Sequence, residues 1–546
     1  MGKKYVKAIV IGSGAGGGVV AKELAEAGMS VVLFERGKWY RPSDTRKDDL
    51  YNQRNQTLGP AFGPDVKKNP RVFVHDDGRE EICTPARGPY SNNAACVGGG
   101  TYCYGAMAWR FMPQDFKMRS TYGTLAGSTL EDWPIRYEDL EPFYEKAEWE
   151  IGVSGDDSNN PYKGPRNKPL PMPPLAMRQE SQILWPAAER LGLHPFFIPM
   201  LRNTVPYNNR RGCMRCRWCV GFACECEARS GTQNTVILQA MQTGTCEIRA
   251  ECIVREIYVN DQGVATGVGY YDENDRFQEQ TADLVIVSGG AIESARLLLN
   301  SKSSLFPEGL GNNHDWVGRN IQDHHYSGAY GLMDYDIYDD LGPGPEIAIC
   351  DYNHENEGLI GGAMLCNEFL TLPYQAVNTL PPGTRRWGKE HKDFMRTHFR
   401  RTMAVKGPTQ EMPTFDARVQ VDPKVTDHWG IPVARLSGKG HIHSVEIAQE
   451  MAKKAEAWLR EAGAIQTWRT YPTKPRFSAF QHQAGTCRMG EDKESSVVNR
   501  YCQMHECDNV FVVDSSVHVT NGGFNPALTI MAIAYWASDY MKKNFA

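Results

Sequence analysis

The fold is decided by residues 5–35, which read YVKAIVIGSGAGGGVVAKELAEAGMSVVLFE. The apolar run before the glycines predicts a β-strand, and the pattern from Val19 to Ala27 predicts a helix. A second strand is expected from Val31 to Phe34. Strand, glycine turn, helix and strand in this order form the βαβ unit that a nucleotide-binding turn requires.

The glycines of this turn indicate a dinucleotide site. Gly12, Gly14 and Gly17 permit a tight turn and a close approach of a pyrophosphate to the helix N-terminus, where free amides and the helix dipole favour anions. Glu35 lies about 20 positions further on, where an acidic residue accepts hydrogen bonds from ribose hydroxyls. This motif alone does not separate FAD from NAD.

The opposite end of the chain carries a polar pair. Residues 481–490 read QHQAGTCRMG, so His482 precedes a Gly-Thr turn, and Asn525 opens a late helix. Such a pair can take the proton of an alcohol while a neighbouring group accepts the hydride. The two ends together indicate a flavin enzyme that oxidises alcohols.

Further segments carry a family resemblance. Asn93–Thr101, Ser288–Leu298 and Val317–His324 follow one another in the order found in the glucose-methanol-choline (GMC) oxidoreductases, and the whole chain resembles that family. A closer likeness lies at Ala108–Phe116 and residues 132–144. It is to the bacterial FAD-dependent sugar and glucoside dehydrogenases, with pyranose and C-glycoside oxidases as near neighbours.

The resemblance implies FAD as the cofactor and an α/β fold, α+β overall. A Rossmann-like FAD-binding domain of GMC type is expected beside a substrate domain built on an antiparallel sheet backed by helices. The expected pieces are 1–125, 205–330 and 478–546 for the FAD-binding domain, 331–477 for the substrate domain, and 126–204 for a connecting or lid region.

The resemblance also implies the site residues. His482 is expected to act as the general base, and Asn525, which cannot titrate, to hydrogen-bond the substrate oxygen. His324 is interpreted as structural and His518 as loop packing near the site. The expected cofactor-binding residues are Gly12, Gly14, Gly17, Glu35, Gly99, Thr101, Cys103, Val254, Asp514 and Asn525.

Cys103 falls where pyranose 2-oxidase-like members carry a histidine, which in some of them is bonded to the flavin. Two interpretations stay open. Cys103 is a packing residue, as most buried cysteines are, or it forms a thioether to the flavin.

Five of the 15 cysteines crowd into the segment 213–226, a Cys-rich loop. Iron–sulfur clusters need thiolates that converge from such a loop. By resemblance to the sugar dehydrogenases, Cys213, Cys219 and Cys224 are the expected ligands, with Cys216 and Cys226 as alternatives. The spacing departs from that branch by one residue, and Glu225 stands where a proline is usual. Structural zinc, or a loop without metal that holds a local disulfide or free thiols, stays open.

Composition narrows the function classes. The net charge of −5 excludes nucleic acid as an expected partner, because phosphate binding requires a basic face. We see no apolar run of the roughly 20 residues that span a bilayer, so no membrane span is expected. We also see no signal peptide. The cytoplasm is therefore the default location, with periplasmic co-export on a partner as the alternative.

The sequence thus predicts FAD-dependent oxidation of a hydroxyl of a sugar, glycoside or sugar acid to a keto or lactone product, without NAD as acceptor. With an iron–sulfur relay, a small accessory subunit and a cytochrome or quinone acceptor are expected. The main alternative is an oxidase that uses O₂ and makes H₂O₂. A non-catalytic electron-transfer flavoprotein subunit is the second alternative.

Overall fold

The computed structural model describes residues 5–54, 61–85, 89–90, 94–477 and 481–546. Asn93 of the expected flavin segment lies outside these ranges, as do residues 1–4 and 478–480 at the starts of two predicted domain pieces.

The elements are numbered in chain order. The strands are β1 (Tyr5–Ile11), β2 (Val31–Phe34), β3 (Arg71–Val74), β4 (Glu80–Cys83), β5 (Ser154–Asp156), β6 (Phe196–Met200), β7 (Cys246–Arg249), β8 (Ile253–Val259), β9 (Ala265–Tyr271), β10 (Phe277–Val287), β11 (His325–Leu332), β12 (Ile347–Ile349), β13 (Leu365–Asn367), β14 (Thr402–Thr409), β15 (Arg418–Thr426), β16 (Pro432–Ser437), β17 (Gln466–Thr470) and β18 (Val510–Val512). The helices are α1 (Ala15–Glu26), α2 (Met118–Tyr122), α3 (Tyr137–Ala147), α4 (Gln179–Arg190), α5 (Val236–Gln242), α6 (Ala291–Asn300), α7 (Pro373–Ala376), α8 (Gly388–His398), α9 (Ile442–Glu461) and α10 (Ala527–Phe545).

The first sheet holds the glycine turn. Its strands run in the order β7-β2-β1-β10-β9-β8, with β18 beside β10. The strands from β7 to β10 pair in parallel, as does β18, whereas β9 and β8 are antiparallel. Five of the seven residues of β1 and all four of β2 are buried, as expected for parallel strands covered on both faces.

Helix α1 begins at Ala15, one turn before the predicted Val19. The reason is close backbone packing at its glycines. A Cβ on Gly16 would lie 1.9 Å from the carbonyl oxygen of Val513, and one on Gly17 would lie 1.9 Å from that of Gly12. Glycine therefore enters the helix here because no side chain fits, despite its low helix propensity.

The second sheet is antiparallel, in the order β17-β11-β14-β13-β12-β6-β5. Helix α9 packs on one face, where Met451 and Leu459 join Ala329 and Val405 in one buried cluster. Helix α4 lies beside α9, since Trp458 Nε1 donates to the Leu184 carbonyl at 2.9 Å. The opposite face carries Tyr326 toward the site described below.

A small third sheet, in the order β15-β16-β3-β4, joins residues from the expected substrate and FAD-binding pieces. Similarly, β5 and β6 fall in the predicted lid region but belong to the second sheet. The second and third sheets therefore combine strands from different predicted domain pieces. The domain boundaries stay a prediction. Within the described ranges, no helix has the length and apolarity needed to cross a bilayer.

Candidate active site

A cavity of about 360 Å³ opens at the carboxyl ends of β1, β2 and β10. This is the edge at which open α/β sheets bind their ligands. Seven separate parts of the chain line it: residues 11–16, 34–36, 94–107, 252–255, 287–300, 431 and 482–530. The cavity therefore joins the N-terminal turn to the C-terminal polar pair.

The glycine turn leaves open space where a pyrophosphate would lie. Gly12 has a φ of +102°, in the region that favours glycine. A Cβ added to Gly14, Gly100 or Gly290 would meet no atom within 4 Å, and all three residues line the cavity. A Cβ on Gly99 would lie 3.1 Å from Gly14 Cα, so the two loops nearly touch. The residues present fit a bound dinucleotide.

Glu35 and Val254 line one end of this cavity together with Cys252. The Glu35 carboxylate accepts hydrogen bonds from Ser13 Oγ at 2.6 Å and Gly37 N at 2.9 Å. Burial raises the pKa of Glu35 despite these donors. An acidic group lies where the sequence expects a ribose contact, and that role stays a prediction.

Asp514 and Thr101 fix the walls of the cavity. Asp514 accepts from Gly290 N at 2.8 Å and Ser294 Oγ at 2.6 Å, which ties the start of α6 to the C-terminal segment. Thr101 Oγ1 donates to the Gly98 carbonyl at 2.6 Å. Both residues line the cavity.

Thr101 and Tyr104 line the cavity, whereas Cys103 between them is buried in a cluster with Phe62, Cys96, Tyr102 and Ala223. Burial raises the pKa of the Cys103 thiol to about 11. Both observations favour the packing interpretation over a thioether, because covalent attachment requires a reactive thiolate at the flavin.

The catalytic corner consists of His482, Asn525, His324 and Tyr326. His482 Nε2 lies 3.4 Å from Asn525 Nδ2, and His482 Nδ1 lies 2.9 Å from His324 Nδ1. Asn525 Nδ2 also donates to the Tyr326 hydroxyl at 2.6 Å. His482 and Asn525 line the cavity, and Asn525 Oδ1 is buried without a hydrogen-bond partner in the described part of the chain. A buried acceptor without a partner marks room for a donor from outside.

The corner keeps its imidazoles neutral. Burial lowers the pKa of His482 well below its usual value, and the positive charge of Arg54 adds to the effect. Burial likewise lowers the pKa of His324 to about 4. A neutral imidazole has a free lone pair, which a general base requires.

The structure brings His482 and Asn525 together, as the sequence predicts. It also places His324 and Tyr326 beside them, which the sequence did not predict. His324 is the last residue of the Val317–His324 motif, and that position was the available signal. The sequence interpreted His324 as structural, and the structure places its Nδ1 atom 2.9 Å from that of His482. His518 packs at 5.2 Å from the Trp133 ring and 5.8 Å from the Phe111 ring, consistent with loop packing.

The Cys-rich loop packs against Cys103, which lies in the chain between two residues of the cavity wall, Thr101 and Tyr104. Gly221 N donates to the Cys103 carbonyl at 2.7 Å. The buried Arg229 guanidinium donates to the carbonyls of Tyr102 and Phe222, and to that of Cys219 at 2.6 Å. At the other side of the loop, Cys216 is exposed. The loop therefore connects the cavity wall to the protein surface.

The thiols of this loop face positive groups. Arg202 Nη2 lies 3.5 Å and Arg229 Nη1 lies 4.0 Å from Cys219 Sγ. The thiols of Cys224 and Cys226 are 3.8 Å apart, and the hydrogen bond from Cys226 holds the pKa of Cys224 well below its usual range. The positive charges of the Arg202 and Arg229 guanidinium groups also help to lower the pKa of Cys224, whose sulfur accepts from the backbone N–H of Arg229 at 3.5 Å. All fifteen cysteines lie in the described ranges and are free thiols.

A zinc site in the Cys-rich loop would require ligand atoms that lie closer together. Tetrahedral Zn–S bonds of about 2.3 Å place ligand atoms about 4 Å apart. Among the described residues, the one group of three or more potential ligands with atoms within 4.8 Å of one another is Glu23, Glu26 and Glu150. That group is bound by Lys22, so it is an ion-pair cluster.

Comparison with known proteins identifies the class of enzyme. Two models described as GMC oxidoreductase match residues 73–326 and 413–534, together well over half of the chain. The chain belongs to the GMC oxidoreductase family. The resemblance noted from the sequence is confirmed.

Curated relatives cover nearly all of the chain. The gluconate 2-dehydrogenase flavoprotein of Pantoea cypripedii is 27% identical over 99% of this chain and 94% of its own. The fructose dehydrogenase large subunit of Gluconobacter japonicus is 24% identical over 97% and 96%. Paromamine 6'-oxidase of Streptomyces fradiae is 28% identical over 96% and 89%.

Among solved structures, pyridoxine 4-oxidase from Mesorbium loti matches with a TM-score of 0.61 over 98% of both chains, at 15% identity. This likeness concerns the fold, and the predicted fold class is confirmed. Family membership also confirms FAD as the cofactor and oxidation of CH–OH groups as the reaction.

Proposed function

We propose that this enzyme oxidises a hydroxyl group of a sugar, glycoside or sugar acid to the keto or lactone product, with His482 as base. The observation that carries the proposal is the pairing of His482 Nε2 with Asn525 Nδ2, 3.4 Å apart, at the cavity wall. Relatives named for gluconate and fructose support a carbohydrate substrate.

The corner explains how a hydroxyl group is held. A substrate oxygen near both groups accepts a hydrogen bond from Asn525 Nδ2 and donates its proton to His482 Nε2. Tyr326 fixes the Asn525 amide through the 2.6 Å hydrogen bond. When bound, FAD supplies the acceptor for the hydride at its N5 atom. The residues of the chain orient the alcohol and take its proton.

The test is anaerobic mixing of the FAD-loaded enzyme with glucose, gluconate, fructose, methyl glucoside and 1,2-propanediol. We expect stoichiometric bleaching of the flavin by at least one carbohydrate. NAD should not reoxidise the flavin. Bleaching by the diol alone would contradict the carbohydrate proposal, and bleaching by none of them would favour the non-catalytic flavoprotein.

For the electron acceptor, we propose a relay through the Cys-rich loop, with Cys213, Cys219 and Cys224 as iron–sulfur ligands. The positive groups of Arg202 and Arg229 support it, because they stabilise thiolates and a negatively charged cluster. The contact of the loop with the cavity wall and the exposure of Cys216 suit electron transfer to a partner. A small accessory subunit and a cytochrome or quinone acceptor belong to this proposal.

The alternative is an oxidase that uses O₂, and the paromamine 6'-oxidase relative favours it. Two measurements decide between them. Anaerobically purified enzyme should show broad iron–sulfur absorption under the flavin bands and turn over faster with an artificial acceptor dye than with O₂. Flavin bands alone, with H₂O₂ formed at the same rate as product, would establish the oxidase.

A further inference from the structure

We propose that His324 fixes the tautomer of His482, so that the lone pair of His482 lies on Nε2, the nitrogen beside Asn525. His324 is then a positioning residue for the base. The proposal rests on the proposed function of His482 and adds to it the residue that determines which nitrogen takes the proton.

The first step is the hydrogen on His324. Its Nε2 atom lies 2.8 Å from the Gly522 carbonyl oxygen and 3.2 Å from that of Asn521. Carbonyl oxygens only accept hydrogen bonds, so Nε2 of His324 carries its hydrogen. Burial lowers the pKa of His324 to about 4, and the ring is therefore neutral near pH 7. A neutral imidazole has one hydrogen, which leaves a lone pair on Nδ1 of His324.

The second step transfers this constraint to His482. The Nδ1 atoms of the two rings are 2.9 Å apart. Two lone pairs at this distance repel, whereas a hydrogen between them makes a hydrogen bond of ordinary length. That hydrogen belongs to His482 Nδ1, because His324 Nδ1 has none. Neutral His482 then has its lone pair on Nε2.

One short segment holds both rings in place. Asn521 and Gly522 supply the carbonyls that fix His324, and Asn521 Nδ2 donates to the His482 carbonyl at 2.7 Å. His482 has a φ of +61°, in the left-handed region that few non-glycine residues adopt. The rings cross at 75° with their centroids 5.1 Å apart, which brings the two Nδ1 atoms together.

The reaction follows from this arrangement. The O–H bond of the substrate breaks and a new N–H bond forms at His482 Nε2, while bound FAD would supply the acceptor for the hydride of the substrate carbon. His482 becomes an imidazolium whose Nδ1–H still donates to His324. The opposite tautomer would present an N–H to the substrate and could not accept its proton.

Two substitutions distinguish the positioning role of His324 from simple packing. His324→Phe keeps the ring volume but removes the acceptor, so the tautomer of His482 is no longer fixed. We expect flavin reduction by substrate to slow about 10- to 100-fold, the effect of one lost buried hydrogen bond. KM and bound FAD should stay close to those of the wild type, whereas the melting temperature should fall, because the carbonyls of Asn521 and Gly522 lose their donor. In His324→Asn, the side-chain oxygen replaces the Nδ1 acceptor, and the rate should recover to within about fivefold of the wild type.

A second readout does not depend on turnover. Imidazole ¹⁵N chemical shifts of histidine-labelled apoprotein report which ring nitrogen is protonated, and the His482 signals are those missing from His482→Gln. We expect Nδ1 protonated and Nε2 bare in the wild type, and a mixture of tautomers in His324→Phe. Protonated Nε2 in the wild type would overturn the proposal, as would unchanged rates in His324→Phe or equal loss in both His324 variants.

These results are distinguishable from failure of the proposed function. If His482→Gln reduces its flavin at the wild-type rate, His482 is not the base, whatever its tautomer. If His482→Gln is inactive while His324→Phe is normal, the base stands and the tautomer proposal fails.

Discussion

The catalytic corner and the Cys-rich loop are both clusters of reactive side chains beside the same cavity, yet they are constrained to different degrees. In the corner, nearly every nitrogen and hydroxyl has a named partner at 2.6–3.4 Å. In the loop, five thiols are spread over a partly exposed segment, and one pair of sulfurs lies at 3.8 Å. Because the buried side chains of the corner hydrogen-bond one another, they have one arrangement. The thiols of the loop are compatible with several arrangements.

This difference shows where structure determines chemistry. A buried polar group without a partner is costly, so a buried cluster must satisfy its members together. A thiol is a weak hydrogen-bond donor and acceptor, and its position is set more by what binds it than by its neighbours. The corner therefore defines a reaction, and the loop defines a set of candidate ligands.

The largest effect is expected at the corner. His482→Ala removes the base, and flavin reduction by substrate should slow by about 10²- to 10⁴-fold. FAD should stay bound, because the glycine turn is unchanged. The measurement is anaerobic stopped-flow absorbance, with His428→Ala on the protein surface as control. Near-normal reduction by His482→Ala would remove the corner from the mechanism.

The loop is tested by comparing two of its cysteines. Cys224 faces Arg229, whereas Cys216 is exposed. If the relay is correct, Cys224→Ser should lose iron and its turnover with a cytochrome acceptor, while flavin reduction by substrate continues. Cys216→Ser should keep both properties. Iron analysis and turnover with a cytochrome acceptor measure this, and equal iron in wild type and Cys224→Ser would contradict the ligand assignment.

A smaller effect is expected from Tyr326→Phe. The hydroxyl accepts the 2.6 Å hydrogen bond from Asn525 Nδ2, and its loss frees the amide to rotate. A typical hydrogen bond contributes about 1 kcal/mol, so we expect a rate of flavin reduction about fivefold lower. KM for the carbohydrate should rise as well, because Asn525 holds the substrate oxygen. A rate equal to that of the wild type would show that the amide needs no such support.

The smallest effect is the pH response. Because the pKa of His482 is lowered, the base stays neutral as the pH falls to 6.5, and protonation removes it only below that value. Flavin reduction should therefore change less than about twofold between pH 8 and 6.5 and decline at lower pH. A decline centred above pH 6.5 would show that the base is protonated more easily than its burial implies.

The sequence predicts the nucleotide turn and the polar pair because each has a local signature. The βαβ pattern around Gly12 and the Gly-Thr turn after His482 can be recognised within about 30 residues. The strands Tyr5–Ile11 and Val31–Phe34 agree with the predicted ones for the same reason.

His324 and Tyr326 could not be assigned in this way. Their positions in the corner depend on long-range pairing of β11 with β14, and on carbonyls nearly 200 residues away at Asn521 and Gly522. Contacts of that range leave no periodic pattern in the sequence. The interleaving of the sheets across the predicted domain pieces escaped prediction for the same reason.

The cavity is assembled from both ends of the chain, and this affects how the protein is made. Gly14 meets Gly99 at one wall, but Asp514 and Asn525, which also line the cavity, are synthesised long after both glycines. FAD can therefore be enclosed by all of these residues only after Asn525 has left the ribosome. Chains that stop before Asp514 would lack two residues that line the FAD cavity, so cofactor capture would mark the chains synthesised past Asn525.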